Sequence, residues 1–325
     1  MFAVLWYWLI GNVRHFMYNA CMVLKFIKAA FLIILYLVLY IFIMLLTQIV
    51  IGLTIGGAGS GLMELVRASG GQPIDASALN EAANLASLKI DDYVQKNTGL
   101  IFSISALVSL LIFNIIFKIR KKELVSIVGL DRRPSATDIK YGAFVGASAH
   151  FAISMVVLGF QYFNLFGDAF EQHDAHMTDI FGTGGMGAMF LGIGLIMPLV
   201  EEILFRGMIS YELSRVIPLK AVIIVQGVIF GLYHMVPVQI FYTIPFGIYL
   251  GFIVYKTGSI WPAAAGHMAM NIVSVLLTSP SAENILSLPQ FSMIFMIVSI
   301  YMLVSAFNYF QKKKPALPAP TKIIE

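Results

Sequence analysis

Charge is scarce in this sequence: Asp, Glu, Lys and Arg together make up 12% of 325 residues. That is about half the share expected of a soluble domain, too little to solvate a folded surface of this size. Cysteine is nearly absent, and with Cys21 alone the chain has no intramolecular disulfide and no multi-cysteine metal site. The first 24 residues lack a small-residue cleavage site, and Arg14 and His15 interrupt their apolar run. They read as an interfacial or amphipathic segment rather than a cleaved signal. What is abundant is apolar sequence, with 59% hydrophobic residues and a mean hydropathy of +0.86. The fold class that follows is an all-α polytopic membrane protein. At roughly 20 residues per span there is room for about eight transmembrane helices.

Four regions follow from the distribution of polar residues. Residues 1–28 form the interfacial N-terminal segment. Residues 29–183 hold spans one to three, at about 29–55, 99–117 and 142–163, with an external polar insert at 59–98. Residues 184–278 hold spans four to seven. Span four rises from a glycine-rich run (Gly182 to Gly194) that reads as close helix packing, and spans five to seven lie at about 219–234, 238–255 and 261–277. Residues 279–325 hold the last span, at about 291–310, and a basic, proline-rich tail that reads as disordered.

Eight spans put both termini on one side. If that side is the cytoplasm, 18 of the 21 Lys and Arg lie inside and ten of the 17 acids lie outside. This is the asymmetry of the positive-inside rule. The pI near 9.0 therefore reflects membrane topology, and no nucleic-acid partner is inferred. The partner expected at this point is the lipid bilayer.

Residues 186–200 contain no ionisable side chain; then Glu201 and Glu202 arrive together, followed by Arg206. An ionisable residue inside a span is a functional hypothesis by default, because an uncompensated charge there is costly. Glu202 and Arg206 are four apart, in the favourable acid-before-base order on one helical face. Pro198 cannot donate to the carbonyl of Gly194, so a kink that opens a polar cavity is expected just before the acids. Measured from the turn at residue 217, Glu201 is 16 residues back and His234 is 17 forward. At about 1.5 Å per residue, an antiparallel pair brings them level. In span seven His267 and Asn271 are four apart and share a face, beyond a Trp261–Pro262 interface anchor.

Glu201-Glu202-x-x-x-Arg206, Phe230-x-x-x-His234 and His267-x-x-x-Asn271, in that order on successive spans, resemble the three motifs of the CaaX protease and bacteriocin-processing (CPBP, or Abi) family of intramembrane endopeptidases. The resemblance covers about residues 184–277, and the family's eight-span core matches the count above. The insert at 59–98 departs from it.

The resemblance implies hydrolysis of a peptide bond in a membrane-associated substrate, either a CaaX-type prenylated protein or a leader peptide. Glu201 would be the general base on a water, with His234 orienting that water or ligating a metal. His267 and the Asn271 amide would stabilise the oxyanion, with Glu202, Arg206 and Phe230 in support. Glu201, His234 and His267 are enough ligands for a divalent metal such as catalytic zinc, and equally make a metal-free site. The site is expected to face the cytoplasmic leaflet. There is no His-Glu-x-x-His zinc motif, and no signature of the serine or aspartyl intramembrane proteases.

Two alternatives use the same residues differently. The acids and histidines also suit the proton relay of a transporter. A non-catalytic immunity or scaffold protein would instead bind a partner through 59–98. His173, Asp174, His176 and Asp179 form a metal-like cluster in the external loop but read as solvated, and His150 has no evident partner.

Overall fold

The computed structural model describes residues 2–54, 76–181, 185–277 and 289–316. The first insert half (55–75, with Glu64, Arg67 and Asp75), Gly182 and Gly184 of the glycine run, and the proline-rich end of the tail lie outside them. Among the described residues there are eleven helices and no strand, and the chain is an all-α polytopic membrane protein.

In chain order the helices are α1 (Phe2–Thr54), α2 (Ala76–Lys96), α3 (Thr98–Ile119), α4 (Leu124–Val128), α5 (Ala136–Tyr162) and α6 (Ala169–Phe181). The second half holds α7 (Met186–Ser214), α8 (Leu219–Tyr233), α9 (Pro237–Thr257), α10 (Trp261–Leu277) and α11 (Pro289–Lys312). Six of them (α1, α3, α5, α7, α9 and α11) are long and apolar enough to cross a membrane. The short apolar helices α8 and α10 sit at the remaining two expected spans. At 15 and 17 residues they reach about 22 and 26 Å, less than a hydrocarbon core of about 30 Å.

The expected boundary at residue 28 is no break in the backbone: α1 runs unbroken for 53 residues. At about 80 Å it is far longer than one crossing, so its ends lie beyond the hydrocarbon. The second half of the insert is helix α2, which sets Ile90 and Val94 against Gly52 of α1.

Helix α7 has two stretches of wider, π-type turn, Phe190–Ile196 and Ile203–Ile209, on either side of Met197–Glu202. Met197 N–H bonds Gly192 O and Ser210 N–H bonds Phe205 O, each five residues back. In that register the carbonyl deprived of a donor by Pro198 is Ile193 O, rather than the Gly194 O expected from a plain α-helix. Asn271 supplies the missing donor from α10, Nδ2 to Ile193 O at 3.0 Å. The proline thus leaves a carbonyl that a site residue caps.

Small residues bring α5 and α10 together. A Cβ added at Gly146 would stand 1.6 Å from Gly266 O, and one at Gly142 would stand 2.0 Å from Pro262 O. The glycine run of α7 contributes less than expected: Gly192 meets the Gly99 carbonyl of α3, but Gly185 and Gly187 face open space.

At the basic end, Glu212 of α7 is fully buried and binds Arg120 (2.6 Å), Arg215 (3.2 Å) and the Tyr36 hydroxyl (3.3 Å). This fixes α1 and the end of α3 to α7. Nearby, Trp261 donates from its indole to Leu130 O at 2.9 Å, which anchors the start of α10. Gly146→Ala is expected to lower stability by about 1–3 kcal/mol through overpacking. Gly159→Ala, with nothing within 4 Å of the added Cβ, should melt at or slightly above wild type. Thermal unfolding of both variants in detergent tests this.

Candidate active site

The acids of α7 are buried: Glu201 is 5% exposed and Glu202 is 0%. Glu202 is the hub. Its Oε1 lies 2.9 Å from Arg206 Nη1, one turn along α7, and 2.9 Å from His267 Nδ1 of α10. The arginine contact is one of charge more than alignment, since Nη1 and Nε make no hydrogen bond among the described residues. Arg206 Nη2 donates to Gly247 O at 3.2 Å, an oxygen that Gln226 also binds at 3.0 Å. The guanidinium carbon lies 4.3 Å from the centre of the Phe230 ring.

The same imidazole reaches Glu201. His267 Nε2 lies 3.7 Å from Glu201 Oε2 while Nδ1 binds Glu202. A carboxylate only accepts, so Nδ1 carries the proton shared with Glu202. His234, at the C-terminal end of α8, has Nδ1 2.8 Å from Phe230 O. A carbonyl also only accepts, which makes Nδ1–H the donor and leaves Nε2 as an acceptor. Phe230 meets both imidazoles edge to face, at 4.9 Å from His234 and 5.5 Å from His267.

Glu201, His234, His267 and Asn271 line one cavity of about 380 Å³. The four residues singled out in the sequence are therefore brought together, with Phe230 in the wall. One N–H of Asn271 is committed to Ile193 O, which leaves the second for a ligand. Among the described residues, no three His, Cys, Asp or Glu side chains are grouped as a metal site.

The loop expected to be an external, solvated cluster is solvated only in part, with Asp174 exposed. It folds as α6, with His173 8% exposed and its Nε2 3.4 Å from the Tyr242 hydroxyl. His176, Met177 and Ile180 of the same helix line the cavity. Sequence reasoning also missed Gln48, Gln239 and Thr243 in the wall, and Tyr40 and Tyr233, which lie within electrostatic reach of Glu201. A signal was there, because Gln48, Gln239 and Thr243 are polar residues inside otherwise apolar helices.

The cavity has a direction. Phe102, Ile193, Met235 and Ser274, together with α6, lie toward the ends of the bundle away from Arg120, Arg215, Lys256 and Lys313. Glu201 itself is 15 residues from the start of α7 and 13 from its end, near the middle of the span.

Residues 183–273 match the family of Rce1-like, type II CAAX prenyl endopeptidases. That stretch carries all three motifs, so the resemblance read from them is shown there. It takes in α7, α8, α9 and most of α10, and it supports a CAAX-type membrane endopeptidase in general terms. No curated protein and no solved structure matches.

Arg206→Met would leave Glu202 buried with one partner fewer. The expected loss is about 3 kcal/mol, read as a lower unfolding temperature in detergent. Changing the pair together, Glu202→Gln with Arg206→Met, should recover part of it.

Proposed function

We infer that this chain is an intramembrane endopeptidase in which Glu201 activates water to hydrolyse a peptide bond of a membrane-associated substrate. The observation that carries the reading is His267 held between two buried carboxylates in a cavity that also admits His234 and Asn271. Glu201 accepts the proton of a water as its oxygen attacks the scissile carbonyl carbon. As the C–N bond breaks, Glu201 returns that proton to the departing amine.

His234 Nε2, the free acceptor, accepts a hydrogen bond from the second O–H of the water and orients it. The developing oxyanion is met by the uncommitted N–H of Asn271 and by the Nε2–H of His267 in its imidazolium form, whose Nδ1–H stays on Glu202. Glu202 and Arg206 hold the His267 ring in its rotamer. Apolar walls from Met44, Met197 and Phe246 suit a substrate with a lipid-like or aliphatic neighbour to the scissile bond, as a prenylated CAAX-type tail would have.

A divalent ion such as zinc on Glu201, His234 and His267 is the other reading of the same donor set. The fit is incomplete as the side chains stand: His267 Nε2 and Glu201 Oε2, 3.7 Å apart with Nδ1 backed by Glu202, would suit one ion, but no group of three His, Cys, Asp or Glu forms among the described residues. No step is therefore assigned to a metal.

The chain is an integral membrane protein, and we place both termini in the cytoplasm. The distribution of Lys and Arg supports that placement. The position of the cavity, in the half of the bundle away from the basic ends, then favours access from the outer half of the bilayer over the cytoplasmic leaflet expected from sequence.

Glu201→Gln in reconstituted vesicles is expected to reduce cleavage of a prenylated CAAX-type peptide at least ~100-fold, the scale of general-base loss. Wild-type protein should keep its rate in the presence of a chelator and contain no stoichiometric metal by elemental analysis. Cleavage by Glu201→Gln at the wild-type rate would remove the assigned base. Chelator-sensitive activity restored by zinc would favour the metal reading instead.

A further inference from the structure

His150, in the middle of α5, plays no part in the chemistry above, yet it has a polar partner at the wall of the cavity. Its Nδ1 lies 2.9 Å from the hydroxyl of Ser274 on α10. The contact depends on the close approach of α5 and α10 at Gly146 and Gly266, four and eight residues before these two side chains. Ser274 lines the cavity and continues the stripe of His267 and Asn271, at intervals of four and three residues along one helical face.

The hydrogen-bond inventory at Ser274 says what it can hold. Its one proton is spent either on Met270 O, one turn back at 3.1 Å, or on His150 Nδ1 at 2.9 Å, according to the histidine tautomer. In both cases the hydroxyl offers the cavity only lone pairs. It is an acceptor, so the ligand group it takes is a hydrogen-bond donor and not a carboxylate. Within a protease cavity the matching group is a backbone amide.

The spacing gives the register. From His267 to Ser274 is seven residues, about 10 Å along the helix. An extended peptide covers that distance in about three residues.

We propose that Ser274 is a substrate-binding residue that accepts a hydrogen bond from a backbone N–H about three residues from the scissile bond, and that His150 is the positioning residue that holds its hydroxyl in place. This rests on the endopeptidase reading and adds to it the register and backbone group by which the substrate is held.

The test is a prenylated CAAX-type peptide series carrying one N-methylated amide at a time, on both sides of the scissile bond. Binding is measured to the full chain carrying Glu201→Gln, in nanodiscs. Methylation at one position about three residues from the scissile bond should weaken binding roughly five-fold, the worth of one hydrogen bond. Adding Ser274→Ala or His150→Leu should abolish that sensitivity at that position only, while His150→Asn, which keeps a hydrogen-bonding group where Nδ1 stood, should retain it. In the active protein, Ser274→Ala should raise KM by a similar factor and leave kcat unchanged.

A methylation profile that Ser274→Ala leaves unaltered overturns the proposal. Cleavage of the unmethylated peptide by the wild-type chain judges the endopeptidase reading separately, since the binding series needs no turnover.

Discussion

A single buried carboxylate oxygen, Glu202 Oε1, sets the geometry of the second half of this protein. It lies 2.9 Å from a guanidinium on its own helix and 2.9 Å from an imidazole on another. A carboxylate with no exposure to water costs several kilocalories unless such partners are in place. That cost requires α7 and α10 to meet in one register. Once they do, the far nitrogen of His267 has no choice but to face Glu201. Arg206 extends the constraint to α9 through Gly247 O and to α8 through the face of Phe230. Four helices are thereby tied at one level by a carboxylate and a guanidinium that do not themselves line the cavity.

Backbone irregularity in α7 works in the same direction. Two π-type stretches bracket the acids, and Pro198 withholds a donor inside that register. The deprived carbonyl, Ile193 O, is satisfied by Asn271. One side chain thus repairs the helix and presents its remaining amide hydrogen to the cavity. Such wide turns are uncommon and concentrate at functional positions. Here they bracket the two acids, both of which reach His267 of α10.

Much of this was legible in the sequence. Periodicity and hydropathy gave each of the eight apolar helices, because lipid forces every span to satisfy its own backbone. Glu202 and Arg206 pair as their i, i+4 spacing says, since that contact is local to one helix. The contacts that were not legible are those between helices. Glu201 was paired with His234 on level alone, whereas its ion-pair contact is with His267 at 3.7 Å, because rotation about the helix axis is set by packing and not by depth. The Asn271 contact could not be foreseen while α7 was taken as a plain α-helix, which put the orphan carbonyl on Gly194. His173 and His176 looked like solvated loop residues because their composition is polar. Phe170 and Ile180 on the same short helix turn one face of it inward, against Tyr242 and the cavity.

The coupling between Glu202 and His267 tests the central claim most directly. A double-mutant cycle of Glu202→Gln and His267→Asn, read on kcat/KM for a cleaved prenylated peptide, measures it. If the carboxylate acts by holding that imidazole, the double variant loses hardly more activity than His267→Asn alone, and the two losses fail to add. Losses that add in full would mean that Glu202 and His267 act independently, and the account of a carboxylate-held imidazole would be wrong.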